Sequence, residues 1–285
     1  MIIESECTFE IIRKKQTSIE VSLEAFPEAE YILNNCDILF REIENKYSKT
    51  DRQNHWLDGY KNEENGRSTF HWAYPLSRNK LEDVNSLPID MPANWERWIG
   101  EQERDRFRNF AEKSGAILLQ ILEDISYSSL IARHLSLIQR HSYVLCRMIR
   151  YPIESSMSKQ INLLAPEHYD PSILTLLYGA SQSGLELQST FQQWDKAPQG
   201  NKSSVVIYGR WLEYIDQEIK ATLHRVIKNN SKTHRFSLQC FLLVDVNRLS
   251  QETVLDKKFT NALEKISLSY QNTFISYNPE IRWKK

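Results

Sequence analysis

The chain has 285 residues, of which 41% are hydrophobic, 26% charged and 11% aromatic, the make-up of a globular protein with a sizeable core. Its 36 basic and 37 acidic residues leave a net charge of -1 at pH 7, so no overall electrostatic footprint favours nucleic acid or an anionic membrane. No apolar run approaches the roughly 20 residues of a membrane helix, the opening MIIESECTFEIIRKK has acids where a secretion signal needs a basic start, and Cys7, Cys36, Cys146 and Cys240 form no CxxC pair; the expected setting is cytoplasmic, with reduced thiols.

In chain order, residues 29–48 set Ile32, Leu33, Cys36, Leu39, Phe40, Ile43 and Tyr47 at helical spacing, which predicts an amphipathic helix. The segment 55–98 is aromatic and broken by Gly59, Gly66, Pro75, Pro88 and Pro92, so it reads as short strands and loops. A second helix is expected over 104–125, with Phe107, Phe110, Leu118, Ile121 and Leu122 on one face. His134 and His141 follow in LIARHLSLIQRH with no third ligand near them, and a structural role is expected for both. From Tyr143 the pattern changes. The runs YVLCRMIRY, SILTLLY, GLELQ, SVVIY, ATLHRVI and FSLQCFLLV alternate with turn signals, the mark of an all-β barrel or sandwich. Leu255, Phe259, Ala262, Leu263, Ile266 and Tyr270 then predict a closing helix, followed by a polar tail. With no repeat or linker between these parts, residues 1–285 are expected to form a single domain: a mostly helical region to 142, a jelly-roll core over 143–250, and a C-terminal helix and tail over 251–285.

The chemistry is concentrated in the second half. In an extended segment i and i+2 project to one side, so His168 and Asp170 make a two-ligand corner while Tyr169 points away. His224, in ATLHRVI, is expected to lie across the barrel from that corner. Two imidazoles and a carboxylate form the facial triad that holds Fe(II) and leaves positions open for oxygen and substrate. Arg235 and Ser237 repeat the i, i+2 logic and aim a guanidinium fork and a hydroxyl at one point, a seat for a carboxylate. His234, before Arg235, faces the other way and stays outside the triad. His55 and His71 sit among aromatics with no motif around them.

At these residues the chain resembles the Fe(II)- and 2-oxoglutarate-dependent dioxygenases of the isopenicillin N synthase-like group. MIRYP (148–152) is similar to the family's tyrosine–proline strand, HYDPSILTLLYGASQSGLELQ (168–188) to its metal-binding strand and turn, and GRWLEYIDQEIKATLHRVI, after Val205, to the block that carries the distal histidine. HRFSLQCFLL resembles the RxS strand. The likeness is close over 143–245 and looser before it, where Gly59-Tyr60 and RFRNFAEKSGAILLQIL keep the family's order. It implies a mainly β fold with flanking α-helices, a distorted double-stranded β-helix.

It also implies roles. His168, Asp170 and His224 would ligate Fe(II), and Arg235 and Ser237, helped by the Tyr151 hydroxyl, would hold 2-oxoglutarate. The reaction would hydroxylate, desaturate or cyclise a small molecule, with specialised metabolism as a candidate setting, oxygen as co-substrate and no nucleic acid or membrane as partner. Arg67, Phe70 and His71 occupy the region where the family builds substrate contacts. Three departures stand out: Ile149 replaces the usual asparagine, Gly209-Arg210 replaces a Gly-Asp pair, and the plant-type N-terminal signature is not evident. They leave open an iron oxidase in which the RxS pair grips the substrate's own carboxylate, a reading that Arg150-Tyr151-Pro152 favours. A non-catalytic jelly roll that binds a ligand or protein is the third reading. Asp170 keeps the carboxylate that a chloride-admitting halogenase site lacks.

Overall fold

The computed structural model describes residues 9–14, 18–23, 26–47, 59–63, 66–76, 87–88, 91–92, 94–126, 130–153, 163–197, 203–228 and 231–274. His55, Cys7 and the tail beyond 274 lie outside these residues.

Two antiparallel sheets carry the fold. The large one runs β1 (Phe9–Lys14), β2 (Ser18–Leu23), β10 (Ser203–Tyr208), β7 (Leu174–Ala180), β12 (Arg235–Val244), β5 (Ser142–Tyr151), β4 (Ser68–Pro75), β3 (Tyr60–Asn62) in spatial order. The small one runs β6 (Leu163–His168), β11 (His224–Ile227), β8 (Leu185–Gln188), β9 (Trp194–Lys196). A mainly β architecture with flanking helices, the jelly roll expected, is therefore present. The N-terminal half is less helical than its periodicity suggested. β1 and β2 extend the large sheet through β10, and β4 pairs with β5 along its whole length. Tertiary pairing decides such cases, because an edge strand buries only part of its surface and shows weak alternation.

Each long strand has two differently employed faces, since side chains alternate. On β12, Leu238, Cys240 and Leu242 are fully buried in the main core. Arg235, Ser237, Gln239, Phe241 and Leu243 take the other face, toward the small sheet. The first face is covered by helices. The expected helix 29–48 is two, α1 (Pro27–Asn34) and α2 (Cys36–Tyr47), and the next is α3 (Glu101–Ile125). Phe26 stacks on Phe110 of α3 at 5.3 Å and meets Tyr178 of β7 edge-on at 5.5 Å. The Trp72 indole N–H donates to the Phe107 carbonyl at 3.1 Å, satisfying a polar atom that burial would otherwise strand.

α4 (Leu130–Arg140) meets α7 (Lys257–Phe274) through the His134 and Phe259 rings, 4.2 Å apart, and α6 (Val246–Leu249) packs on α7. His134 contacts Asp256 at 3.1 Å and His141 contacts Glu252 at 2.7 Å, so both histidines tie α4 to the segment around α7, as a structural reading required. Cys36, Cys146 and Cys240 are free and buried, and the Cys146 and Cys240 sulfurs face each other across β5 and β12 at 3.5 Å. No described helix is long and apolar enough to cross a membrane.

Candidate active site

His168 ends β6 and His224 begins β11, and the two are direct partners in the ladder. Opposite residues of an antiparallel pair point to the same face, so both imidazoles reach the cavity side by side, ring centroids 4.1 Å apart. His224 is thus beside the first corner, not across the barrel from it. The spacing of an isolated HxD triplet and a distant histidine says nothing about which strands become neighbours.

The Nδ1 of His168 lies 2.7 Å from the Pro166 carbonyl and that of His224 lies 3.1 Å from the Thr222 carbonyl. These carbonyls take the Nδ1 protons and leave both Nε2 atoms as lone-pair donors. Each Nε2 faces the same oxygen, Asp170 Oδ1, at 3.8 Å from His168 and 3.7 Å from His224. Such spacings suit donors that each stand about 2 Å from a shared ion. One ligand atom from each of the three residues falls within 4.8 Å of the others. Asp170 is buried, and its Oδ2 has no hydrogen-bond partner among the described residues. A dry, half-satisfied carboxylate is costly unless a cation answers it. The donor set and this orphaned oxygen together fit a divalent iron.

Protonation agrees. Burial, reinforced by the neighbouring His224, pushes His168 down to about 4, so it is neutral and ready to coordinate near pH 7. Burial alone would raise the Asp170 carboxyl, but His224, His168 and Arg147 and the Thr175 hydroxyl hold it below its ordinary value.

The loop after Asp170 is pinned by the start of α5 (Arg210–Ile215). Arg210 N–H donates to the Asp170 carbonyl at 2.8 Å and Trp211 N–H to the Ser172 carbonyl at 3.0 Å. Gly209 lies so close that an added Cβ would meet the Ser172 carbonyl oxygen at 2.0 Å. Gly209→Ala is expected to cost about 1–3 kcal/mol by overpacking, and to weaken Mn(II) binding by displacing Asp170; thermal unfolding and a metal titration check both. Arg210, in place of the expected aspartate, stacks over the outward-turned Tyr169 at 3.8 Å and pairs with Glu213 at 2.9 Å.

Arg235 and Ser237 face the triad's sheet from the large sheet. Arg235 Nε donates to the Ser183 carbonyl at 3.2 Å, while its buried Nη1 and the Ser237 Oγ have no partner among the described residues. Burial lowers the Arg235 pKa and adjacent Tyr151 raises it; an arginine remains a cation either way. Tyr151 is the direct partner of Arg235 in the β5–β12 ladder, and the guanidinium lies 5.1 Å above its ring. A small cavity of about 50 Å³ opens beside Arg235 and Ser237, between Leu177, Leu185, Val205 and Val226. Two orphaned donors at a buried cation fit the carboxylate of a bound co-substrate.

A larger cavity of about 310 Å³ contains the triad and shares Leu185, Val226 and Gln239 with the small one. Arg67 and His71 line it. Phe70 does not. It is fully buried on the opposite face of β4, 6.1 Å from both Trp72 and Phe107, because adjacent strand residues cannot both face the cavity. Arg150 also points away, to Glu44 and Ser68, so Arg150-Tyr151-Pro152 brings no second arginine to the site and loses its weight for the oxidase reading. Ile149 fills the asparagine's place with apolar surface against Leu164, Ala165 and Val226. His234 meets the Tyr151 carbonyl at 2.9 Å, outside the triad. Motif reading passed over Arg147 and Gln239, although 147–149–151 and 235–237–239 are same-face positions on strands already identified.

Burial drives His71 well below the histidine value of 6.5, and Arg147 adds to the shift. The unfolded chain therefore takes up this proton first, so stability is full above about pH 6.5 and falls as pH drops below it. His71→Gln is expected to flatten the fall in Tm below about pH 6.5, leaving the part due to His168.

A jelly roll with two imidazoles and a carboxylate converging inside it, faced by a buried arginine, has the form of a non-haem iron oxygenase. Residues 137–243 match the family model of the 2OG-Fe(II) oxygenase superfamily, a stretch that holds all three triad residues together with Arg235 and Ser237. No curated protein sequence matches it. Among solved structures, a Shewanella oneidensis protein assigned as an oxygenase shares 20% identity over 90% of this chain and 91% of its own, with a TM-score of 0.63. The dioxygenase for auxin oxidation 1 from Arabidopsis thaliana, bound to 2-oxoglutarate, shares 16% over 77% and 79%, TM-score 0.58. The dioxygenase for auxin oxidation in rice shares 17% over 82% and 80%, TM-score 0.55. At these identities the likeness speaks for the fold.

Proposed function

We propose that the chain works as one oxygenase domain that oxidises a small organic substrate with molecular oxygen, Fe(II) and 2-oxoglutarate, within the isopenicillin N synthase-like branch. The observation that carries this is the pairing of two unsatisfied sites across one interior: the Asp170 carboxylate, whose Oδ1 faces both imidazoles and whose Oδ2 has no partner among the described residues, and the Arg235 Nη1 and Ser237 Oγ donors opposite. In this reading His168, Asp170 and His224 hold the iron, and Arg235, Ser237 and Tyr151 hold the distal carboxylate of 2-oxoglutarate. Bound iron and 2-oxoglutarate supply the oxidising power, 2-oxoglutarate leaving as succinate and carbon dioxide.

The protein's own contribution is positional. The Pro166 and Thr222 carbonyls fix the imidazole tautomers. Apolar walls keep water from the reacting centre, and the larger cavity holds the substrate beside it. The near-neutral charge supports a small molecule rather than a nucleic acid, and three buried free thiols support a reducing, cytoplasmic setting.

Anaerobically purified protein given Fe(II), 2-oxoglutarate and then oxygen is expected to form succinate, slowly alone and faster with a true substrate. Oxygen uptake without succinate would select the oxidase reading, and absence of iron binding would leave a binding protein.

A further inference from the structure

We propose that the substrate is a monocarboxylate with an apolar body and that Arg147 holds its carboxylate, an inference that rests on the oxygenase reading and names the substrate class of the same cavity. Arg147 lies mid-way along β5, in register with Gln239 on β12 and His71 on β4. All three line the larger cavity, so they form one cross-strand row on its wall.

Among the described residues Arg147 makes no ion pair, although its charge reaches Asp170 in the same cavity. Its Nε donates to Gln239 Oε1 at 3.0 Å, Nη2 donates to the same oxygen, and the guanidinium lies 4.7 Å over the Phe241 ring. Among the described residues no carboxylate pairs with it. The arginines around it are treated otherwise: Arg67 pairs with Glu63 at 2.7 Å, and Arg150, three residues on, pairs with Glu44. A guanidinium has five N–H donors. Gln239 takes one on Nε and one on Nη2, which leaves the Nη1–Nη2 fork open, the edge that grips a carboxylate bidentately.

The surroundings select the rest of the ligand. Leu145, Ile149, Phe241 and Leu243 give the same cavity an apolar wall. His71, the neighbour in the row, is kept neutral by burial, so the row's charge is that of Arg147. This seat is distinct from the Arg235 clamp: Tyr151, the ladder partner of Arg235, is four residues further along β5, about 13 Å of strand. An anion held at Arg147 lies in the chamber that contains the triad, whereas Arg235 opens into the smaller one.

The test compares 4-phenylbutyrate with its uncharged amide by calorimetry, on protein loaded with Mn(II) and 2-oxoglutarate and on metal-free protein. Wild type is expected to bind the acid roughly 10- to 100-fold more tightly than the amide, the range of a charge-assisted hydrogen-bonded contact. Arg147→Gln and Arg147→Met, the latter keeping a stem over Phe241, are expected to bind both alike while still taking up 2-oxoglutarate with Mn(II). On metal-free protein, where the clamp is not needed, Arg235→Leu is expected to keep the preference for the acid.

Equal binding of acid and amide by wild type, no binding of the acid, or a preference that survives loss of Arg147 overturns the proposal. So does loss of 2-oxoglutarate binding in the Arg147 variants with the preference intact, which would assign Arg147 to the co-substrate. Failure of Mn(II)-loaded wild type to bind 2-oxoglutarate would instead count against the oxygenase reading, with the metal-free comparison still deciding Arg147.

Discussion

His224→Ala is expected to abolish Fe(II) binding and to lower iron-dependent succinate formation by at least about 1000-fold, roughly 4 kcal/mol of lost stabilisation. The expectation follows from the ladder. His224 stands directly opposite His168, and both Nε2 atoms face one oxygen of Asp170, so removing either ring leaves a two-donor corner. Asp170→Asn keeps shape but removes the anion that the metal requires, and a comparable loss is expected. Two controls give the result meaning. His234→Ala lies on the same chain segment as the clamp but outside the triad, and should bind metal normally. The His224→Ala fold should persist, because β11 keeps its backbone pairing with β6 and β8. Iron bound undiminished by His224→Ala would remove the site proposed here.

Arg235→Leu is expected to raise the Kd for 2-oxoglutarate on the order of 100-fold or more, since truncating one partner of a buried charged pair costs about 2–5 kcal/mol. The same substitution is expected to leave the ligand-free fold as stable as wild type, or more so. Among the described residues the buried guanidinium has no partner for Nη1 and no carboxylate beside it, and replacing such a cation by an apolar side chain removes a desolvation cost. The two effects separate in one experiment: wild-type Tm should rise as 2-oxoglutarate is added with Mn(II), by linkage, and the variant's should stay level. Arg235→Lys should behave more like leucine than like arginine, because a point charge does not reproduce the fork. An Arg235→Leu protein that binds 2-oxoglutarate normally would move the clamp elsewhere.

Much of the site was legible before any fold was known, for reasons visible in particular residues. His168 and Asp170 share a face because strand side chains alternate, and so do Arg235 and Ser237; this local rule needs no tertiary information. The same rule misled only where it was not applied. Phe70 and His71 are adjacent and cannot both face a cavity, and Phe70 belongs to the core with Trp72 and Phe107. Extending the alternation from Tyr151 back to Arg147 and from Ser237 on to Gln239 would have added both polar wall residues. β1 and β2 escaped notice because an edge strand is defined by its neighbour, β10, more than by its own composition.

By itself the sequence determined the class of the protein: a β-rich second half, paired i, i+2 donors and a distant histidine on strands are local properties that survive any packing. Only the tertiary structure decided which strands became neighbours, and with that the chemistry of the interior. It set His224 against His168 rather than across from it. It turned Arg150 outward to Glu44, left Asp170 Oδ2 and Arg235 Nη1 without partners among the described residues, and placed Arg147 beside Leu145, Ile149, Phe241 and Leu243 in the wall of the chamber that holds the triad. Charge compensation depends on who stands within about 4 Å, and a linear chain does not specify that until its sheets close.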